Sequence, residues 1–321
     1  MKIVFFGSPL FAVPFLNTLI TSEGIQVVGV VTQPDKPVGR GSKVKSSAVA
    51  EAAKAYGIPT LKPESLKLGL GLDKGKLRGF GADIFVVLAY GQIIPNRILD
   101  IPPLGVINVH PSLLPNYRGA TPMQAAIREG DKTTGITIMK MDKKMDHGPI
   151  LAQLEFELPD GVDYPELESI VIRKGPPLLV DALRAYEAGR LEPTPQDDSH
   201  ATYVKLFDRD AGRIDWNRQS AEEIERMIRA YRPWPGVWTT WNGKRLKILH
   251  ADAGRGAFLK KLGLVFERDG KISVVCKKGA LEMKTVQMES SKPASIVSFA
   301  NGHPDFIGSV LGDGSYPPKV E

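Results

Sequence analysis

Asn108 and His110 stand two apart at the end of an apolar run, Gly105-Val106-Ile107-Asn108-Val109-His110. Positions two apart on a strand project to the same face, so an amide and an imidazole share one side. A buried polar group without a partner costs about 1–3 kcal/mol, so the pair needs either partners or a cavity. At the carboxyl edge of a parallel sheet, polar side chains face the crevice where such sheets bind ligands. There an Asn amide can donate to a carbonyl oxygen that gains negative charge. A His beside it can hold or move a proton. Met141-Asp142-Lys143-Lys144-Met145-Asp146-His147-Gly148-Pro149 supplies carboxylates, and the turn-forming His-Gly-Pro after Asp146 lets that loop fold back. Asn, His and Asp without an activated Ser or Cys fit an external nucleophile attacking a carbonyl, which is acyl transfer with no covalent enzyme intermediate. The same spacing also fits a core histidine and an aspartate that only shapes its turn, and the residue types leave both open.

The elements that must hold these residues alternate in type. Lys2–Phe6, Gln26–Thr32, Ile84–Leu88, Val106–His110 and Gly135–Met141 read as apolar strands, with Ile150–Phe156 pairing beside the last. Phe11–Leu19 and Ser47–Tyr56 read as helices between them. Strands unbroken by polar residues and alternating with helices predict a mostly parallel, Rossmann-like α/β sheet covered on both faces. Pro177–Gly189 reads as a helix ended by Gly189, and 190–206, rich in proline and acid, as a linker. Beyond it, Ala221–Tyr231 is a helix with Ser220 and Glu223 spaced as a capping box. Short strands separated by glycine-containing turns then predict a small C-terminal β-barrel. The expected division is 1–189, a linker at 190–206, and 207–321.

The bulk numbers bound the chemistry. The chain has 321 residues, 42% hydrophobic and 24% charged, as for a globular protein with a substantial core. No apolar run is long enough to span a bilayer, and the N-terminus lacks the features of a signal peptide. A lone Cys276 gives no disulfide framework, which fits a reducing compartment such as the cytoplasm. No G-x-G-x-x-G follows the first strand, no P-loop or H-E-x-x-H is present, and five scattered histidines offer no metal cluster. Redox chemistry, nucleotide hydrolysis and metal dependence are therefore not expected. The net charge of +6 belongs wholly to the C-terminal part: residues 1–204 carry 22 cations and 22 anions, and 205–321 carry 20 and 14. A confined positive field fits a polyanionic partner or a solubilising surface. Pro-Trp-Pro around Trp234, with Trp238 close by, reads as core packing ahead of base stacking.

Asn-Val-His-Pro-Ser-Leu-Leu-Pro-Asn-Tyr-Arg-Gly-Ala-Thr-Pro at 108–122, followed by Asp-His-Gly-Pro-Ile-Leu at 146–151, resembles the 10-formyltetrahydrofolate-dependent formyltransferase superfamily. Thr-Gln-Pro-Asp-Lys-Pro-Val-Gly-Arg-Gly at 32–41, Ala-Tyr-Gly-Gln-Ile-Ile-Pro at 89–95, Gly-Arg-Ile-Asp-Trp at 212–216 and Ala-Tyr-Arg-Pro-Trp-Pro-Gly-Val-Trp-Thr at 230–239 are similar to the branch that acts on initiator methionyl-tRNA. The resemblance spans roughly residues 1–315. It implies a Rossmann-like domain followed by a barrel similar to an OB-fold, and 10-formyltetrahydrofolate as co-substrate with no metal. It implies Asn108, His110 and Asp146 as the catalytic triad: Asn108 steadies the oxyanion, His110 stabilises the tetrahedral intermediate and assists proton transfer, and Asp146 orients His110 in its charged form. It implies folate contacts from Ser112, Leu113, Leu114 and Pro115 and from Leu88, Ala89, Tyr90 and Gly91.

The same resemblance implies an RNA-binding loop with Arg40 at the acceptor stem, and Lys36, Lys43 and Lys45 around it. The segment 36–45 has four basic residues and no acid, although a solvated loop has the same composition. A single chain, with no membrane partner, is expected. Formylation of an amino sugar or a ribonucleotide, hydrolysis of the folate, and plain RNA binding are the alternatives. Arg118 is expected to pair with a carboxylate or fix the turn. The glycine-rich 65–81 and the prolines within 173–183 depart from the family pattern.

Overall fold

The computed structural model describes residues 1–38, 43–66, 74–254, 256 and 261–312, with the side chains of Val38 and Lys43 also outside it. The chain forms two compact units. The first comprises Met1–Pro122, Thr133–Glu157 and Glu168–Val204; the second comprises Met123–Lys132, Leu158–Leu167 and Lys205–Glu321. Among the described residues no helix is long and apolar enough to cross a membrane.

The first unit is built on a seven-stranded sheet in the order Ile150–Glu157, Thr133–Lys140, Val106–His110, Ile84–Leu88, Lys2–Gly7, Gln26–Val31, Thr60–Leu61. The last five run parallel, whereas Thr133–Lys140 pairs antiparallel with Val106–His110, and Ile150–Glu157 antiparallel with Thr133–Lys140. Lys2–Gly7 and Ile84–Leu88 are buried on both faces, which is why their sequences run apolar without alternation. Ile150–Glu157 lies at the sheet's edge, and from Ala152 on it alternates half-buried and exposed residues. Ser47 caps the Ala48–Ala55 helix by accepting from the amide of Ala50.

One element corrects the expectation. The helix expected at Pro177–Gly189 starts at Tyr164 and runs through Pro176 and Pro177 to Glu187. Two prolines remove two i→i−4 bonds, but packing holds the helix together. Gly175, directly before them, lies so close to the Phe15 ring that a Cβ would collide with it. Gly189, at φ 65°, ends the helix in the left-handed conformation. The stretch read as a linker is hydrogen-bonded to the first unit. Thr194 bridges to Ile150, and Tyr203–Val204 pairs in parallel with Arg118–Gly119. Of the glycine-rich 65–81, residues 67–73 lie outside the described residues, and Lys74–Arg78 is one short helix.

The second unit holds an antiparallel sheet in the order Val237–Trp241, Lys244–Gly254, Ala280–Met288, Lys271–Val275, Val265–Arg268, with Ala294–Ser295 on Ala280–Met288. The segment 308–312 bonds to Gly263 and Val265 on one side, and Gly312 donates to the Thr240 carbonyl on the other. It thereby joins the first and last strands of that order and gives the sheet a barrel-like closure. The helix Ala221–Ala230 carries the full capping box between Ser220 and Glu223.

Candidate active site

Val106–His110 ends beside the carboxyl end of Ile84–Leu88, with Val87 opposite Asn108. Asn108 is half-buried and His110 is buried, on the shared face their spacing requires. The loop with Asp146 starts from an antiparallel strand whose Lys140 lies opposite Ile107, below the level of His110, so it must double back. Gly148 permits this, because a Cβ there would collide with the Lys140 carbonyl. Asp146 sits at φ 48°, a left-handed conformation that Asp tolerates better than most residues.

The three side chains meet. Asn108 Nδ2 donates to Asp146 Oδ1 at 3.4 Å. Asp146 Oδ2 accepts the Gly119 amide at 2.8 Å and lies 3.8 Å from His110 Nδ1. His110 Nε2 lies 2.9 Å from the Tyr117 carbonyl, which can only accept, so Nε2 carries a hydrogen and Nδ1 faces the carboxylate. Nε2 is hydrogen-bonded, and Nδ1 stands close to the carboxylate without a hydrogen bond to it. The imidazole is held as a fixed group beside the carboxylate.

The turn after the strand is internally bonded. Ser112 Oγ donates to the Asn116 carbonyl at 2.6 Å. The buried Thr137 hydroxyl, opposite His110 in register, donates to the Ser112 carbonyl and accepts the Leu114 amide. Gln153 Nε2 donates to the Leu114 carbonyl and to the same hydroxyl. Of the residues expected to meet a folate, Leu88, Tyr90, Ser112 and Leu114 have buried side chains. Leu113 and Pro115 are half-buried, and Ala89 and Gly91 are exposed. Both segments follow the carboxyl ends of adjacent parallel strands. Burial pushes the Tyr90 phenol up to about 12. Its hydroxyl finds no partner among the described residues. Its carbonyl accepts from Ser8 Oγ and Gln33 Nε2, which ties three strand ends together.

Arg118 combines both roles left open for it. Its buried guanidinium pairs with Asp198 Oδ1 at 2.7 Å and also donates to Gln196 Oε1 and the Tyr203 hydroxyl. The bond from Arg118 holds the Asp198 carboxyl below the usual range. Gln196 and Asp198 were not legible as site residues, because they lie in a stretch with the composition of a linker. Lys36 and Lys45 face each other across a two-stranded hairpin, Lys36–Val38 with Lys43–Lys45. Both side chains are exposed, and Lys36 Nζ donates to Gln33 Oε1. Arg40 lies outside the described residues, and so does the Lys43 side chain. Trp238 is buried with the Arg245 guanidinium 3.9 Å from its ring centroid, as core packing predicts. Trp234, expected in the core too, is 52% exposed, because its loop turns the indole outward. Among the described residues no group of three or more potential metal ligands gathers.

Residues 1–183 match the formyl transferase family, and residues 207–304 match the formyl transferase C-terminal domain. The chain is 44% identical over 317 residues to a methionyl-tRNA formyltransferase of Roseiflexus sp. (strain RS-1), covering 98% of this chain and 96% of that one. Solved structures share the fold. An N-formyltransferase from Helicobacter canadensis, in complex with folinic acid and dTDP-3-aminofucose, matches at TM-score 0.63 and 19% identity over 90% of this chain and 99% of its own. A methionyl-tRNA formyltransferase from Clostridium thermocellum matches at TM-score 0.54 and 16% identity over 88% and 98%.

Proposed function

The chain belongs to the formyl transferase family, and from that membership we propose that it moves the formyl group of 10-formyltetrahydrofolate onto the α-amine of methionine on initiator methionyl-tRNA. The observation that carries the acceptor is the near-full-length likeness, both domains included, to a relative named for that reaction. The fold alone does not choose the amine.

The chemistry is a direct displacement. The amine nitrogen bonds to the formyl carbon, and the carbonyl oxygen takes up negative charge in a tetrahedral intermediate. The bond to N10 of the folate then breaks, and the proton lost by the amine ends on that nitrogen. Asn108, whose amide carries two hydrogens, keeps one on Asp146 and turns the other to the oxyanion. His110, with one nitrogen on the Tyr117 carbonyl and the other facing Asp146, acts when protonated as a fixed positive charge beside the intermediate. Asp146 orients the imidazole and favours its charged form, and His110 is the group taken to assist the amine's proton transfer. Leu113, Ala89, Gly91 and Pro115 are the parts of the two loops left for a flat pterin, and the buried residues among them support its walls. Lys36 and Lys45, with Lys43 and Arg40 on the same segment, meet the acceptor end of the tRNA, and the cation excess of 205–321 supplies further phosphate contacts. We take the catalyst to be a single chain working in the cytoplasm, where translation supplies the tRNA.

Incubation with labelled 10-formyltetrahydrofolate and, separately, methionyl-tRNA, an amino-sugar nucleotide, an amino ribonucleotide or water tests this directly. Label is expected on methionyl-tRNA. Faster transfer to any other acceptor would replace the proposed one.

A further inference from the structure

Residues 196–204 run between the loop that carries Asp146 and the 115–120 loop that bonds to His110 and Asp146, and they bond to both. On one side, Thr202 and Val204 pair with the 115–120 loop. Arg118 N donates to the Thr202 carbonyl, Ala120 N to that of Val204, and Tyr117 N to Thr202 Oγ1. That loop supplies the Tyr117 carbonyl to His110 and the Gly119 amide to Asp146. On the other side, Gln196 Nε2 donates to the carbonyls of Asp146 at 2.9 Å and Gly148 at 2.7 Å, gripping the left-handed turn at both ends.

The orientation of the Gln196 amide is forced. Arg118 offers only donors, and its Nε and Nη2 lie 3.1 and 2.8 Å from Oε1, so that atom is the oxygen and the NH2 group faces the Asp146 turn. A second link lies one turn along. Asp198 takes Arg118 through Oδ1 and lies 3.2 Å from His147 Nε2 through Oδ2, while His147 Nδ1 lies 2.6 Å from Asp142 Oδ2. Both imidazole nitrogens thus face carboxylate oxygens, which accept only, so the link is complete when both carry hydrogen.

We propose that Gln196 and His147 are positioning residues for the transfer reaction: they staple the Asp146 turn to Arg118 and so fix the carboxylate between Asn108 and His110. This rests on the catalytic reading of Asp146 given above. A geometric clamp of this kind acts on the rate of the bound complex, because a small displacement of a reacting group costs far more in turnover than in affinity.

Gln196→Glu separates the two halves of the staple. A carboxylate keeps Arg118 paired but has no N–H for Asp146 and Gly148. Single-turnover formyl transfer is expected to fall at least tenfold, with KM for both substrates within twofold of wild type, and the two carbonyls left without a donor are expected to lower the melting temperature by only a few degrees, too little to unfold the enzyme at assay temperature. In an Asp146→Asn background the same substitution is expected to cost no more than a further twofold, because its effect passes through that carboxylate. Wild-type turnover in Gln196→Glu, or full multiplication of the two losses, overturns the proposal. A fully active Asp146→Asn enzyme would instead overturn the catalytic reading. Should Gln196→Glu fail to fold, His147→Gln decides by the same cycle, since that side chain is partly exposed and its expected loss is about threefold.

Discussion

At the scale of single residues, Asn108, His110 and Asp146 act on one reacting carbon, so their contributions cannot add. Replacing any one with Ala should lower kcat by about 10²–10⁴, with tRNA affinity near normal. The double and triple variants should be little worse than the weakest single one. Rapid-quench kinetics would show this, and His110→Ala turning over at the wild-type rate would remove the imidazole from the mechanism. Tyr90 gives a prediction in pH. Its folded value lies near 12 against an ordinary 10, raised by burial, so the neutral phenol favours the fold. That contribution is complete below about pH 10 and lost as pH rises through 12. Tyr90→Phe removes a hydroxyl with no partner among the described residues and should melt at or above the wild-type temperature at pH 8. It should also move the alkaline unfolding midpoint upward, followed by circular dichroism. A variant that unfolds earlier in alkali would show that the hydroxyl has a partner.

At the scale of elements, the strand Thr133–Lys140 holds the turn that follows His110. The Thr137 hydroxyl serves the Ser112 carbonyl, the Leu114 amide and Gln153 at once. Thr137→Val keeps the shape and leaves two buried backbone groups unpaired, at about 1–3 kcal/mol for each group. The melting temperature should drop by several degrees, and kcat with it, because the turn carries the Tyr117 carbonyl. An unchanged melt would mean water replaces the hydroxyl. The lysine hairpin behaves in the opposite way. Lys36 and Lys45 are directly opposed, and like charges so placed repel. A bound polyanion relieves that repulsion. Lys36→Gln with Lys45→Gln should leave the fold intact or slightly more stable. It should weaken methionyl-tRNA binding and flatten the log–log salt dependence by roughly 0.7–0.9 for each phosphate left unneutralised. Filter binding across a salt series is the measurement, and an unchanged slope would mean that other cations neutralise the phosphates.

At the scale of the whole molecule, the second unit is assembled from three separated stretches of chain. Within it, Arg226 Nε donates to the Arg128 carbonyl, Arg229 to the Val162 carbonyl, and Arg232 pairs with Asp163 at 2.8 Å. A chain cut after Val204 keeps 123–132 and 158–167 but strips them of these partners. The fragment should therefore melt well below the full chain by calorimetry, even though its seven-stranded sheet is entire. A fragment melting at the full-length temperature would show that those two stretches need nothing from 205–321. Charge contributions to tRNA binding are for this reason better read from point variants of exposed cations such as Arg209 and Arg213 than from truncation.

Periodicity and residue type alone determined the alternating strands and helices, the capping box at Ser220 and the closeness of Asn108 to His110, because these depend on neighbours within a few residues. They also offered Asp142 and Asp146 on a turn-forming loop, of which the family resemblance chose Asp146, without saying where its carboxylate would lie. Only the tertiary structure decided that. Asp146 reaches His110 because an antiparallel strand sets the loop's starting level and Gly148 lets it fold back, and no local pattern encodes the pairing direction. The helix through Pro176 and Pro177 was illegible for a related reason: local propensity forbids it, and packing of Gly175 on Phe15 overrides propensity. The stretch at 190–206 has the composition of a linker, yet Gln196 and Asp198 bond to residues about fifty to eighty positions away. Hydrogen bonds at that separation leave no periodic trace in a sequence, because their geometry exists only once the sheet has brought the two loops side by side.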